Sequence, residues 1–582
     1  VIRINSNSLA GNGFIGTGNR PSTQINWNQE QSIVSSQKIV RAFLLRNFQI
    51  IGQIRKKYLG YHAQKLSKKH MFFDKDITSN QWHCVRDILS SKCLFKFDRK
   101  TMNVFDTLAQ SARQWPDRIA IIDAAGSMDY RTLWREVEAL RGQLDRLGVR
   151  EGQGVGVRAR NGRAFIIGGL AALGCGVVIM PIHHQLKADE MSDMLAKAPL
   201  CFIIDDGSGG PAQPGKTVTL ENPGGNGLRF TRLDNSQAPL APQIKDAAFV
   251  RFTSGTTGTA KGVVLTHRDV LERTRAANSG LKLTHEDTIL WVLPMAYHFY
   301  VSIILYLEAG STVLVSGDYL AESILDSAAQ HGATFLYVTP MHVRLLNSER
   351  TGRALPPTLK RIMSVSAKLN PQSARDFQAR YKIPVCQGYG IIEVGLPIMN
   401  VDEAAEHPEA IGRPVSGFEA KIVHDEMQPV ADGETGQLAL RGPGMFSGYL
   451  NPPRLRAEIM RDGWFLTGDL AHRDGGGRIV LDGRTSSVIH VAGHKVFPEE
   501  VAAVLDSHPA VLRSRVFGRQ HPQWGEAVHA EAQLRNGASG APVTSDELLT
   551  FCRKRLSSQK VPVAVEFVPE IAMTSSGKVR HG

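Results

Sequence analysis

Short uncharged apolar runs alternate with longer stretches of mixed polarity through the middle of this chain, the pattern of buried parallel strands joined by helical crossovers. Ala247-Ala248-Phe249-Val250, Phe202-Ile203-Ile204, Thr312-Val313-Leu314-Val315 and Phe335-Leu336-Tyr337-Val338 read as such strands. The run from Ala164 to Ile182 has no charged residue and is nominally long enough to span a bilayer. Gly174-Cys175-Gly176 and Pro181 interrupt it. It therefore reads as a buried helix through Leu173, a glycine break and the strand Val177-Val178-Ile179-Met180. Residues 207–227 are rich in Gly and Pro and read as a surface loop. Phe418 to Arg441 alternates as short strands do, with a turn at Asp432-Gly433. After Asp482-Gly483 the pattern becomes a compact α+β one, with a helix over Glu499 to Leu505 and a strand over Val563 to Val568. The expected class is α/β: a large N-terminal domain of parallel-sheet subdomains with a small β-subdomain, then a small C-terminal α+β domain.

A chain of 582 residues holds more than one domain. Its net charge of +13 is unevenly spread. Residues 1–101 carry 17 Lys or Arg against 5 Asp or Glu, and the remainder carries 51 against 50. The body is thus nearly neutral and gives no reason to invoke nucleic acid. The extension differs in composition as well, with three alanines in its 101 residues. Two readings of it compete. It is either a disordered or spurious extension, or it holds a basic amphipathic helix for a membrane surface. The second reading rests on Ile39, Phe43, Ile50, Ile54 and Tyr58 beside Arg55-Lys56-Lys57. Membrane association is expected only through this segment, and no cleavable signal peptide is evident at Val1. The six cysteines, Cys84, Cys93, Cys175, Cys201, Cys386 and Cys552, are scattered without a CxxC pair, as reduced cytoplasmic thiols are.

The densest chemistry lies in Thr253 through Gly262. Ser254-Gly255-Thr256-Thr257-Gly258-Thr259-Ala260-Lys261-Gly262 packs three glycines, four hydroxyls and a lysine into nine residues. Glycines let backbone N–H groups turn toward an anion, and the lysine adds a mobile positive charge. This composition suits a polyphosphate, although the Gly-Lys-Ser/Thr of a P-loop is missing. The run Gly262-Val263-Val264-Leu265 continues extended, and a helix is expected to begin near His267.

Four further stretches follow in order: Gly388-Tyr389-Gly390-Ile391-Ile392-Glu393, Gly463 through Asp469, Gly483-Arg484 through Gly493-His494-Lys495, and Ser575-Ser576-Gly577-Lys578. Together with the Thr/Gly loop they resemble the adenylate-forming superfamily of acyl-CoA synthetases, stand-alone adenylation domains and luciferases, over roughly Met102 to Gly582. The resemblance begins near Met102, leaving 1–101 as the basic extension, and implies an N-terminal AMP-binding domain over 102–483 and a mobile C-terminal domain over 484–582. It implies an AMP-forming acid–thiol ligase. A carboxylic acid and ATP give acyl-AMP and pyrophosphate, and a thiol of coenzyme A or of a carrier-protein phosphopantetheine then takes the acyl group. Positive charge is needed at the α-phosphate and at the leaving pyrophosphate.

By the same resemblance Thr253, Ser254, Gly255, Thr256, Thr257, Gly258 and Lys261 cradle phosphates, and Gly388, Tyr389 and Gly390 lie against adenine. Asp469 takes the ribose hydroxyls and Arg484 the ribose or phosphate side. Glu393 ligates Mg²⁺, a hard cation that prefers carboxylate oxygen. Lys578 reaches the carboxylate and α-phosphate during adenylation. Ser486 is the hinge, and Gly493 lies at the thiol channel. His298 lines the acyl pocket with Val301, Ser302 and residues near Val338 to Met341. The aspartate that pairs a substrate ammonium in amino-acid-activating domains is absent there, which argues against an α-amino acid. Tyr297, Phe299 and Tyr300 point to an apolar or aromatic acid.

The chain departs from the pattern in places. Ile392 replaces a hydroxyl residue, and Ser486 and Ser487 replace an acidic or lysine hinge. Val365-Ser366-Ala367-Lys368 is bulkier than a Gly/Ala-rich adenine-side loop, and Gln437 replaces a glutamate. These departures leave two alternatives to a CoA ligase: a ligase that loads a carrier protein, and a nucleotide-binding protein of low turnover.

Overall fold

The computed structural model describes residues 103–209, 216–220, 227–233, 239–252, 261–424, 426–492, 494–535, 543–573 and 579. The chain divides into two units between Phe97 and Asp98, and every described residue belongs to the second. The extension 1–101 and its Ile39–Leu59 segment lie outside the described residues.

Among the described residues, two nine-stranded sheets dominate, each parallel at its centre and antiparallel at its margins. In one, Val385–Ile391, Arg361–Ser364, Phe335–Val338, Thr288–Trp291, Thr312–Val315 and Ile119–Asp123 lie side by side in parallel, in that order. In the other, Ala247–Phe252, Val178–His183, Gly154–Ala159 and Phe202–Asp205 form the parallel centre. The four predicted apolar strands are all present. They are apolar throughout because helices cover both faces of such sheets, so alternation has no place in them.

The apolar run at 164–182 resolves as expected. Arg163–Gly174 is a helix with ten buried residues, Gly176 turns with φ of 73°, and Val178–His183 is a fully buried strand. Among the described residues no helix is long and apolar enough to cross a membrane. Arg163 opens the helix and is nearly buried with Asp123, whose carboxylate accepts from its backbone N (2.9 Å), Nε (3.0 Å) and Nη2 (2.6 Å). One expectation needs correction. Within the 207–227 segment, Lys216–Thr219 is an edge strand paired with Arg229–Arg232, as the β-branched Thr217, Val218 and Thr219 favour.

A four-stranded antiparallel sheet follows: Glu419–Val423, Gly436–Arg441, Phe465–Arg473 and Ile479–Arg484. Its predicted turn holds Gly433 at φ 85°. The C-terminal α+β portion packs the helices Pro498–Asp506 and Ser545–Arg553 with a five-stranded sheet, in which Ala564–Phe567 runs parallel to Gly525–Leu534. The chain passes between these portions through a single 3₁₀ turn, Thr485–Ser487.

Two buried histidines give the fold a pH signature. His267 accepts from the Val104 N–H through Nδ1 at 3.3 Å, and His342 accepts from Thr339 N–H. Burial depresses both rings from the ordinary 6.5 to about 4. The unfolded chain takes up protons that the folded rings refuse. Stability is therefore complete above pH 6.5 and declines as pH falls from there toward 4. At pH 5 the expected loss is about 2 kcal/mol per ring. Thermal unfolding at pH 7.5, 6 and 5 checks this, and His342→Gln should flatten the slope.

Candidate functional site

The strand Ala247–Phe252 ends at the Thr/Gly loop, and Gly262–Thr266 returns antiparallel beside it, pairing Phe252 with Gly262 and Arg251 with Val263. Thr266 then caps the helix His267–Leu281. Its hydroxyl accepts from Asp269 N–H at 3.1 Å, and the Asp269 carboxylate accepts from Thr266 N–H at 2.9 Å. This reciprocal capping fixes the angle at which the helix leaves the loop. The helix begins at His267, as the sequence suggests. Thr253, Ser254, Gly255, Thr256, Thr257 and Gly258 lie outside the described residues, as do Gly493 and Lys578.

Lys261, at the loop's exit, is described. Its Nζ sits 5.1 Å from the ring centre of Tyr449, whose hydroxyl donates to Glu393 Oε1 at 3.2 Å. The phosphate-loop lysine and the candidate metal carboxylate thus meet at one tyrosine. Burial pushes the Glu393 carboxyl up, against the pull of the Tyr449 hydroxyl, Lys261 and Arg273.

Arg273 holds the turn that carries Glu393. It is 1% exposed. Its Nε donates to Gly444 O at 2.8 Å, Nη1 to Ile392 O at 2.8 Å and Nη2 to Glu393 O at 3.4 Å. Phe446 N–H donates to the same Glu393 carbonyl at 2.7 Å. Burial lowers the guanidinium's pKa, with Asp269 opposing. Sequence reasoning missed this arginine. The available signal was its place on the core face of the helix, three residues after Val270 and four before Ala277, both fully buried.

A second cluster lies on the strand Val385–Ile391. Tyr389 is nearly buried, and its hydroxyl donates to Asp469. Arg484 faces Asp469 across the sheet register, and its Nε donates to the other carboxylate oxygen at 2.8 Å. Burial and then Asp469 push the Tyr389 hydroxyl's pKa well up. Burial works against the Arg484 charge, but Asp469 and Tyr389 hold its pKa above the usual value. Tyr389, Asp469 and Arg484 therefore form one hydrogen-bonded unit. Gly390 is required by space, since a Cβ there would sit 2.6 Å from Gly395 O. A Cβ on Gly388 would press on Leu396 at 3.0 Å.

His298 stands at the end of the short helix Met295–His298, with edge contacts to Trp291 at 5.5 Å and Tyr337 at 6.1 Å. The next turn, Phe299–Ile303, is wound as a π-helix, a local irregularity frequent at functional sites. Val301 is partly exposed and Ser302 buried.

At the hinge, Ser486 lies in the 3₁₀ turn, and Ser487 Oγ donates to Arg484 O at 3.2 Å and Glu499 Oε1 at 3.3 Å. Lys368, a departure in the adenine-side loop, places its Nζ 2.6 Å from Leu481 O, four residues before Thr485. Ile392, the other conspicuous departure, packs its side chain on the core while Arg273 takes its carbonyl. Ile392→Thr should leave adenylation within about threefold of the parent, since the hydroxyl replaces a side chain whose contacts are only partly buried. Exchange kinetics and thermal unfolding of that variant check it.

Residues 108–450 match the AMP-binding enzyme family and residues 500–578 its AMP-binding enzyme C-terminal domain. A sulfoacetate–CoA ligase of Cupriavidus necator is 30% identical over 83% of this chain and 98% of its own length. A 2-succinylbenzoate–CoA ligase of Bacillus licheniformis is 29% identical over 81% of this chain and 98% of its own. In fold, the chain is similar to the o-succinylbenzoate CoA synthetase of Bacillus subtilis in complex with its acyl-adenylate, with TM-score 0.71 and 23% identity over 82% of this chain and 97% of that one. More than half the chain matches one family, and the relatives are matched almost end to end. The chain thus belongs to the AMP-binding enzyme family, and it is an AMP-forming acid–thiol ligase that activates a carboxylic acid with ATP and passes the acyl group to coenzyme A.

Proposed function

We propose that Lys261, Glu393, Tyr389, Asp469 and Arg484 form the nucleotide site of this ligase, and that His298 lines the pocket for an acid with an apolar or aromatic body. The convergence of Lys261 and Glu393 on Tyr449 carries the reading. It sets one mobile cation and one carboxylate at the end of the phosphate loop, where a triphosphate and its metal need both charges. Tyr389 and Asp469 take adenine and ribose, with Arg484 beside them. The loop residues Thr253 to Gly258 take the β- and γ-phosphates.

Mg²⁺ fits the donor set. It binds through one or two carboxylates with substrate phosphates rather than in an all-protein cage, and Glu393 offers such a carboxylate. Among the described residues no cluster of three or more His, Cys, Asp or Glu forms a cage of the other kind. When bound, the ion supplies charge neutralisation at the phosphates. Glu393 holds its place through Tyr449 and Arg273. Lys578 brings its ammonium to the carboxylate and α-phosphate for the first step.

The aromatic floor supports an acid with an apolar or aromatic body. Trp291 stacks on Tyr337 at 5.5 Å, and His298 stands edge-on to both. The relative named for 2-succinylbenzoate acts on an aromatic acid, in keeping with this floor, whereas the one named for sulfoacetate acts on an acid without a ring. The domain limits follow: an N-terminal domain over 102–483 and a C-terminal domain over 484–582 that swivels at Ser486, with Gly493 facing the thiol channel. The four described cysteines are free thiols, in keeping with a cytoplasmic enzyme. The CoA-ligase relatives do not favour a carrier protein as acceptor.

The test is ATP–pyrophosphate exchange by the full chain across a panel of carboxylic acids, followed by thioester formation with coenzyme A. Acid-dependent exchange with thioester product is expected. ATP binding without exchange on any acid would overturn the reading.

A further inference from the structure

Arg251 lies two residues before the phosphate loop, at the end of the strand Ala247–Phe252, and nothing in the nucleotide site uses it. Its Nη1 donates to Tyr297 O at 2.7 Å and to Tyr300 Oη at 2.8 Å. The guanidinium also lies against the Tyr297 ring, 4.8 Å from its centre. These contacts fix the group against the segment that carries His298, on the acyl side of the loop. Among the described residues its buried Nε has no hydrogen-bond partner and Arg251 makes no ion pair.

The neighbouring cations are committed elsewhere. Lys261 lies over Tyr449 beside Glu393, and Arg273 is spent on backbone carbonyls. His183 is stacked on Tyr297 at 5.4 Å, and burial and the neighbouring His184 drop its pKa to about 4, so it is neutral at pH 7. Among the described residues Arg251 is the cation that lies on the Tyr297 ring itself, while Arg158, Arg160, Asp206 and Glu190 act on the His183–His184 side of it. A guanidinium has five N–H donors in a rigid fork that matches a carboxylate or sulfonate. Here two neutral oxygens take Nη1, and among the described residues neither Nη2 nor the buried Nε has a partner. Keeping a half-buried cation without an anion is costly, and a charged ligand that completes it removes that cost.

We propose that Arg251 is a specificity-determining residue, and that the acid this ligase takes carries a second anionic group, a carboxylate or a sulfonate, which Arg251 receives. This rests on the reading of the pocket given above. The aromatic floor takes the body of the acid, Arg251 takes its far charge, and the reacting carboxylate is left at the phosphates.

The experiment uses the full chain and matched acids that differ in one anionic group: succinate with butyrate, sulfoacetate with propionate, and homophthalate with phenylacetate. Exchange kcat/KM is measured for the parent, Arg251→Met and Arg251→Lys. The expected result is a preference for the dianionic member of at least one pair that falls about 10- to 100-fold in Arg251→Met. Arg251→Lys, which keeps the charge but loses the fork, should retain part of it. The carboxylate and sulfonate pairs separate the two sources of charge. Equal loss on both members of each pair, or a rise confined to the KM for ATP, would mean a structural or nucleotide role and overturn the proposal. So would a parent enzyme that prefers the monoanionic member throughout.

Binding by thermal shift is read in parallel on the same acids and variants. If exchange fails with every acid, the proposed reaction falls. Dianion-selective binding that is lost in Arg251→Met would still uphold the subsite, and its absence in the parent would overturn it.

Discussion

Glu393→Gln is expected to slow pyrophosphate exchange about a hundred- to a thousand-fold and to move the Mg²⁺ dependence to higher concentration. Glutamine has the same shape and still offers an oxygen to the Tyr449 hydroxyl, so the contact at 3.2 Å can persist. The backbone turn is held independently by Arg273 and Phe446 N–H. The substitution therefore removes charge with little change of packing, and the unfolding temperature should stay close to that of the parent. Loss of the carboxylate also takes an anion from beside Lys261 and Arg273, although Arg273 keeps Asp269. Exchange rates over a Mg²⁺ titration, with the unfolding temperature as control, give the answer. An unchanged titration and rate would show that Glu393 is not the ligand.

Arg273→Met should reduce both stability and activity. Methionine fills much of the same volume but donates nothing, so the carbonyls of Gly444 and Ile392 lose their partner in a buried setting. At about 1–3 kcal/mol for each bare buried group, the expected cost is about 2–4 kcal/mol, part of it offset by no longer burying a cation. Glu393 O keeps its bond from Phe446 N–H, so the turn loosens on the Ile392 side. Under conditions where the variant is fully folded, exchange should still fall at least tenfold, because the carboxylate is no longer held in one place. Denaturant unfolding and exchange kinetics separate the two effects. A destabilised variant with parental exchange would confine Arg273 to the fold.

The strands were legible because a strand buried on both faces needs apolar residues at every position, and Thr312–Val315 and Phe335–Val338 end where their apolar runs end. Their order was not. Thr288–Trp291 lies between those two strands, an adjacency set by crossover helices and not by any local pattern. The Lys216–Thr219 edge strand escaped because Gly and Pro around it signal a loop, while its pairing partner lies a few residues further on. Within the site, residues in compact motifs could be named in advance: Tyr389, Glu393, Asp469 and Arg484. Arg273 and Tyr449 lie outside such motifs and were missed. An arginine on a helix ordinarily reads as solvated, and Tyr449 reaches Glu393 only because Gly448–Tyr449 pairs with Gly262–Thr266 across nearly two hundred residues. Arg251 was passed over because the apolar run ends at Val250, and its contacts come from Tyr297 and Tyr300 on either side of His298.

Both oxygens of Asp469 are engaged within the protein, one by the Tyr389 hydroxyl and one by Arg484. A ligand that brings its own donors to this carboxylate must displace or share those two, so its arrival swaps partners and adds few new hydrogen bonds. The heat released on binding at this end of the site is expected to be correspondingly small. On the proposed reading of the site, departure should be eased by the same exchange, because the tyrosine and arginine can take the carboxylate back as the ligand leaves. A catalyst that must discard AMP after every turnover is served by such self-sealing, and Tyr389→Phe, which removes one of the two stand-ins, should lengthen the residence of AMP.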